Sequence, residues 1–71
     1  MSLWEAQEGK EYIIKDILTE DDEVEAFLFT LGCYAGEPIT VVFRINGSCV
    51  VSIKDGRYSI DKNLAKSIFV E

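Results

Sequence analysis

The run ITVVFRINGSCVVSIKDGRYSI, from Ile39 to Ile60, decides how this chain folds. Its first segment, Ile39 to Ile45, is β-branched and aromatic, and the odd-numbered members Ile39, Val41, Phe43 and Ile45 are all apolar. That is the period-two pattern of a strand with one buried face. Asn46-Gly47 follows at once. A two-residue hairpin turn of the commonest kind needs positive φ at both positions, and Asn-Gly is the pair that tolerates this best. Ser48 to Lys54 returns as a second strand, and Asp55-Gly56 signals a second hairpin into Arg57 to Ile60. The stretch reads as a three-stranded antiparallel meander.

Working upstream, Ala35-Gly36-Glu37-Pro38 is a turn, with Pro38 tolerated at the first strand position because no ladder donor is needed there. Before it, Val24, Phe27, Leu28 and Leu31 recur at the i, i+3, i+4, i+7 spacing of one helical face, and Gly32 is the residue type that ends helices in the left-handed conformation. Thr19-Glu20-Asp21-Asp22 fits a capping box, with Thr19 as the cap and Asp22 reaching back. The acidic residues from Glu20 to Glu23 then fall at the positive end of the helix dipole. Glu11 to Leu18, entered through Gly9, is a first strand. Downstream, Asp61 can cap a single helical turn through Leu64 and Ala65, and Ser67 to Val70 is a last short strand.

The fold class is therefore mainly β. Five short strands joined by tight turns bury their faces best by curling, so the expectation is a small SH3-like, partly open β-barrel with one α-helix inserted after the first strand. The chain has 71 residues and a mass of 8.0 kDa, which makes residues 1–71 one domain. With 48% hydrophobic residues it is not a disordered chain, and no apolar run approaches the roughly 18 residues of a membrane-spanning helix, so direct membrane insertion is not expected. Seven Lys and Arg stand against thirteen Asp and Glu, a formal charge of -6 that argues against a nucleic-acid partner. The start Met1-Ser2-Leu3-Trp4-Glu5 lacks the features of a signal peptide, and the expected compartment is the cytoplasm.

Chemistry is sparse. The chain contains no histidine, and its two cysteines, Cys33 and Cys49, lack metal-binding spacing; they are expected to be buried, reduced thiols. The acidic cluster is explained by helix capping, and no EF-hand spacing is present, so no metal site is expected. Gly32-Cys33-Tyr34-Ala35-Gly36 follows a helix instead of preceding one, the wrong order for a phosphate cradle. No catalytic residue and no cofactor are assigned, and a binding or regulatory module is favoured over an enzyme.

The run Leu28-Phe29-Thr30-Leu31-Gly32-Cys33-Tyr34-Ala35-Gly36, followed by Ile39 to Val42, resembles the L-x-x-L-G-L-x-P-G-x-x-[IV]-x-V signature of the ferrous iron transport protein A family, FeoA. Gly9 with its following strand and the stretch from Tyr58 to Val70 extend the resemblance from about Leu3 to the end. Cys33 replaces the usual Leu, Ala35 replaces the usual Pro, and Glu23 and Glu25 stand where the family often carries basic residues. The resemblance implies a small cytoplasmic accessory protein of bacterial ferrous iron uptake. Its implied partner is a FeoB-like ferrous iron transporter with a cytosolic GTPase domain. Two other readings stand beside it. One is a metal-sensing regulatory domain like the SH3-like C-terminal domain of iron-dependent repressors. The other is a weakly self-associating barrel whose strand edges pair between copies.

The candidate partner-binding residues are Phe29, Tyr34, Glu25 and Glu37. On a helix advancing about 100° per residue, Phe29 lies roughly 140° from Val24 and is not needed for the core. Beside Tyr34 it would make an apolar patch rimmed by Glu23, Glu25 and Glu37, the arrangement of a protein-docking surface. The competing reading has the N-terminal segment with Trp4 fold over Phe29.

Overall fold

The computed structural model describes Met1 to Glu71. A 3-10 turn at Leu3–Glu5 is followed by strand β1 (Glu11–Ile17), helix α1 (Asp22–Leu31), β2 (Pro38–Ile45), β3 (Ser48–Ile53), β4 (Gly56–Asp61), helix α2 (Lys62–Ser67) and β5 (Ile68–Val70). The strands form one antiparallel sheet in the order β4-β3-β2-β1-β5. Its inner face carries Ile14, Ile39, Val41, Cys49, Val51, Ile53, Ile60, Ile68 and Val70, all fully buried. The sheet curls around them and stays open between β4 and β5, an SH3-like fold with one main helix after the first strand.

The meander forms as its sequence demands, with two changes of detail. Asn46 and Gly47 adopt φ of 43° and 83°, the doubly positive turn expected of Asn-Gly. The second turn is Lys54-Asp55, because Gly56 already pairs with Ile53. Lys54 takes the positive φ, at 51°. Gly56 serves a different need: a Cβ there would collide with the Tyr58 ring folded across it.

The alternation expected along β2 holds only to Val41. Val41 faces Val51 and Phe43 faces Val50, so Val42 is an extra, bulged residue. A one-residue insertion reverses which face every later side chain occupies. Phe43 and Ile45 therefore point outward, at 41% and 55% exposure, and Arg44 turns to the inner side opposite Cys49. There its guanidinium donates to the carbonyls of Trp4 (2.6 Å) and Ala6, and it lies 5.4 Å from the centre of the Trp4 ring. The Arg44 backbone N–H donates to Glu8 at 2.8 Å. This clamp holds Leu3 and Ala6, both buried, against the barrel end. The segment also covers β5, since the Val70 N–H donates to the Met1 carbonyl at 2.8 Å. A second bulge at Lys15 lets both Ile14 and Ile17 face inward.

Helix α1 starts later than the capping box suggests. Asp21 is the cap, its carboxylate accepting from the N–H groups of Glu23 (2.9 Å) and Val24 (3.4 Å). Thr19 acts one step earlier, accepting from the Asp21 N–H at 3.1 Å. Aspartate is an equally strong cap, and nothing in the local sequence separates the two. Gly32 ends the helix at φ 99°, and the Cys33 N–H closes back on the Leu28 carbonyl at 3.1 Å. Of the four-residue stripe only Leu28 is fully buried; Val24 and Leu31 are half-buried and Phe27 is 46% exposed. The helix meets the barrel along a line narrower than the roughly 100° apolar arc, and Phe27 lies about 100° round from Leu28, outside it.

Leu28→Ala is expected to lower unfolding free energy by about 3 kcal/mol, the scale of a truncated core leucine, and Phe27→Ala by under about 1 kcal/mol. Urea denaturation of the two variants checks the difference.

Candidate functional site

The geometry of the Gly32 to Glu37 segment brings Phe29 and Tyr34 together. The left-handed Gly32 turns the chain back on the helix, and buried Cys33 plugs the core beneath it. Gly36, at φ 93°, then donates its N–H to the Ile14 carbonyl at 2.7 Å, while the Ile14 N–H donates to the Glu37 carbonyl at 2.9 Å. Tyr34 is thus suspended between two anchored points. Its ring stacks on Phe29 with centroids 5.4 Å apart and planes 19° from parallel. Both stay accessible, Phe29 at 38% and Tyr34 at 48% exposure.

Trp4 is elsewhere. The Arg44 guanidinium and the Lys62 ammonium lie over its ring, 5.4 Å and 5.6 Å from the centre, and it does not roof Phe29. Of the expected acidic rim, Glu25 lies one turn before Phe29 on the same side of α1, because residues four apart are neighbours. Glu23 is one turn before Phe27 instead, on the other flank. Glu37 joins Tyr34 through its N–H, which donates to the Tyr34 carbonyl at 3.0 Å, and its carboxylate is paired with Lys54 at 3.3 Å. The Lys54 methylenes run against Gly32. The acidic edge of the aromatic pair is therefore Glu25, with a Glu37–Lys54 ion pair on its other side.

Two further surface features lie outside the sequence expectation. The bulge at Val42 places Phe43 and Ile45 on the outer face of the β2–β3 hairpin, beside Val50. Unbroken alternation in the sequence carries no signal for it. A cavity of about 400 Å³ lies between the start of α1 and α2, lined by Thr19, Asp21, Val24, Asp61, Asn63, Leu64 and Ser67. Its two carboxylates are the two helix caps. No group of three or more His, Cys, Asp or Glu side chains is arranged to hold a metal ion. Burial pushes the Cys33 thiol up to about 11 and raises the Cys49 thiol as well, with Arg44 opposing the latter. Both cysteines are free. No helix is long and apolar enough to cross a membrane.

The family model described as FeoA domain matches residues 1–71. Among solved structures, an iron uptake regulatory protein (FeoA) is 25% identical with a TM-score of 0.88, covering 99% of this chain and 93% of its own. FeoA of Stenotrophomonas maltophilia, complexed with zinc and described as an SH3 domain protein, is 21% identical with a TM-score of 0.89, covering 100% of this chain and 89% of its own. A manganese-dependent transcriptional repressor is 19% identical with a TM-score of 0.90, and this chain spans 40% of its length. At that identity the repressor shares the fold alone. No curated protein sequence matches significantly.

Native protein at pH 8 is expected to resist thiol reagents until it unfolds, since the thiolate is the nucleophile and both thiols are held protonated. The Cys33 pKa is raised in the folded state, so its contribution to stability is complete below the unfolded value near 9.0 and is lost as pH rises toward about 11. Cys33→Val should flatten that alkaline decline in a series of denaturation curves. An unchanged decline would place its origin in other groups.

Proposed function

The chain belongs to the FeoA family, and from that membership and the aromatic pair on its surface we propose that it is an accessory protein of ferrous iron uptake. In this reading it binds the cytosolic GTPase domain of a FeoB-type transporter and regulates it without doing chemistry itself. The observation that carries the reading is the stacked, half-exposed Phe29–Tyr34 pair. A Phe on the side of a helix away from its core stripe adds little to folding, and two large rings held in place lose little entropy when a partner covers them. Glu25 adds a charge at the edge, where it affects the rate of encounter more than the affinity. Iron is the cargo of the transporter in this scheme, and the accessory protein acts on the cytosolic side.

Titration calorimetry of the purified transporter domain with wild-type and Phe29→Ala/Tyr34→Ala protein tests the reading. The expected result is at least a thirtyfold loss of affinity, about 2 kcal/mol, which is the scale of a binding hot spot. Phe29→Ala alone should cost about 1 kcal/mol of stability, the value of the lost stacking, so the variants stay folded. Equal affinity for wild type and double variant would remove the pair from the partner surface. Specific divalent-metal binding by the isolated chain would instead favour a metal-sensing regulatory domain.

A further inference from the structure

Strand β4 ends the sheet with nothing paired to its outer edge. It is joined to β3 by a two-residue turn, so the closing pair Ile53 and Gly56 exchange both backbone hydrogen bonds, as do Val51 with Tyr58 and Cys49 with Ile60. The alternate residues Arg57, Ser59 and Asp61 therefore direct their N–H groups away from β3, and Arg57 and Ser59 direct their carbonyls the same way. No other segment of the chain donates to or accepts from the backbone of Arg57 or Ser59. All three side chains are exposed, and neither Arg57 nor Asp61 has an ion-pair partner. The opposite end of the sheet is protected, because the Met1–Ser2 segment lies along β5.

We propose that β4 is a self-pairing edge, along which two copies of the chain join antiparallel about a two-fold axis at Ser59. The free groups permit few registers. Centring on Arg57 sets two guanidinium groups face to face, and centring on Asp61 does the same with carboxylates. Centring on Ser59 sets Arg57 of each copy opposite Asp61 of the other, and like charges directly opposed are replaced by two opposite-charge pairs. Centring on Tyr58 uses as many backbone groups, four in each copy, but sets Arg57 opposite Ser59 and leaves both charges without a partner, so charge pairing favours Ser59. Ser59 exchanges both its bonds with its counterpart, and the Asp61 N–H donates to the Arg57 carbonyl; the Asp61 carbonyl is at the start of α2 and stays in the helix. The small Ser59 side chain lets the strands approach without a clash on the axis. Self-complementarity of this kind is what an isologous contact requires. One short strand covers far less than the roughly 1,200 Å² of a stable interface, so the dimer forms only at high concentration.

The test is a dilution series of the full-length 15N-labelled chain followed by its amide spectrum from about 20 µM to about 2 mM. Salt is kept at about 0.15 M to screen the repulsion of two acidic chains. The amides of Ser59 and Asp61, which gain acceptors, should shift together along one binding curve, with those of Tyr58 and Ile60 moving much less. Arg57→Glu should weaken self-association at least tenfold. An equimolar mixture of Arg57→Glu and Asp61→Lys proteins should associate more tightly than either alone, since each then meets its complement. Circular dichroism confirms that Asp61→Lys, which loses the α2 cap, remains folded. If it does not, the series with wild type and Arg57→Glu decides alone. Concentration-independent spectra, shifts gathered at Phe29 and Tyr34 or at Phe43 and Ile45, or an Arg57→Glu protein that associates like wild type would each overturn the proposal.

Discussion

Leu28 is the one side chain of α1 that the barrel encloses completely, and the helix takes its rotation from it. With Leu28 directed inward, residues 27 and 29 must lie about 100° to either side, which sends two phenylalanines to the flanks of the helix. The same residue's carbonyl receives the Cys33 N–H, so the helix end and the loop that follows are fixed to the same point. Cys33 then enters the core and Tyr34 is turned back toward Phe29. A different burial angle for α1 would break the aromatic pair without altering a single strand.

The pair is stiff because its supports are. The Gly36 and Ile14 N–H groups tie the loop to β1, and the Glu37–Lys54 ion pair joins it to the β3–β4 turn. An exposed ion pair adds little stability of its own, at most about 1 kcal/mol. Here it sits where the loop would otherwise have freedom. Rings held this way would meet the proposed partner already in position, and a chain this small, with little core to spare, has few other means of presenting a defined surface. The Arg44 clamp does for the other end of the barrel what Leu28 does for this one. By drawing the Trp4 and Ala6 carbonyls onto one guanidinium it keeps the N-terminal segment, Trp4 included, away from the aromatic pair.

Much of this could be read from the sequence where one residue type answers one geometric demand. Asn46-Gly47 at a doubly positive turn, Gly32 past a helix end and Asp61 before α2 are such cases, and each stands where the sequence places it. The reading fails where two solutions are locally equivalent. Thr19 and Asp21 are both good caps, and the chain uses the second, with Thr19 accepting from its N–H one step earlier. The bulge at Val42 is hidden for a different reason. Ile39 to Ile45 alternates without a flaw, and it is the curl of the sheet and the reach of Arg44 to the N-terminal carbonyls that make an extra residue worth inserting. The i, i+3 spacing puts Phe27 on the inward stripe because it cannot show how wide a stripe the barrel accepts. Helix geometry and the Gly32 stop place Phe29 off the core stripe and beside Tyr34, but spacing leaves open whether the N-terminal segment covers it, and the Arg44 clamp decides that. No spacing within this chain encodes which molecule, if any, covers them.

The end of α1 and the Gly32 to Glu37 loop form the face proposed to meet the transporter. Hydrogen exchange of the intact chain, free and saturated with the transporter's cytosolic domain, tests it most directly because it surveys every segment at once. Slowed exchange is expected from Phe29 through Gly36, with the outer face of β2 and β3 unchanged. Protection confined to Phe43, Ile45 and Val50, with the helix end exchanging as in the free protein, would contradict it.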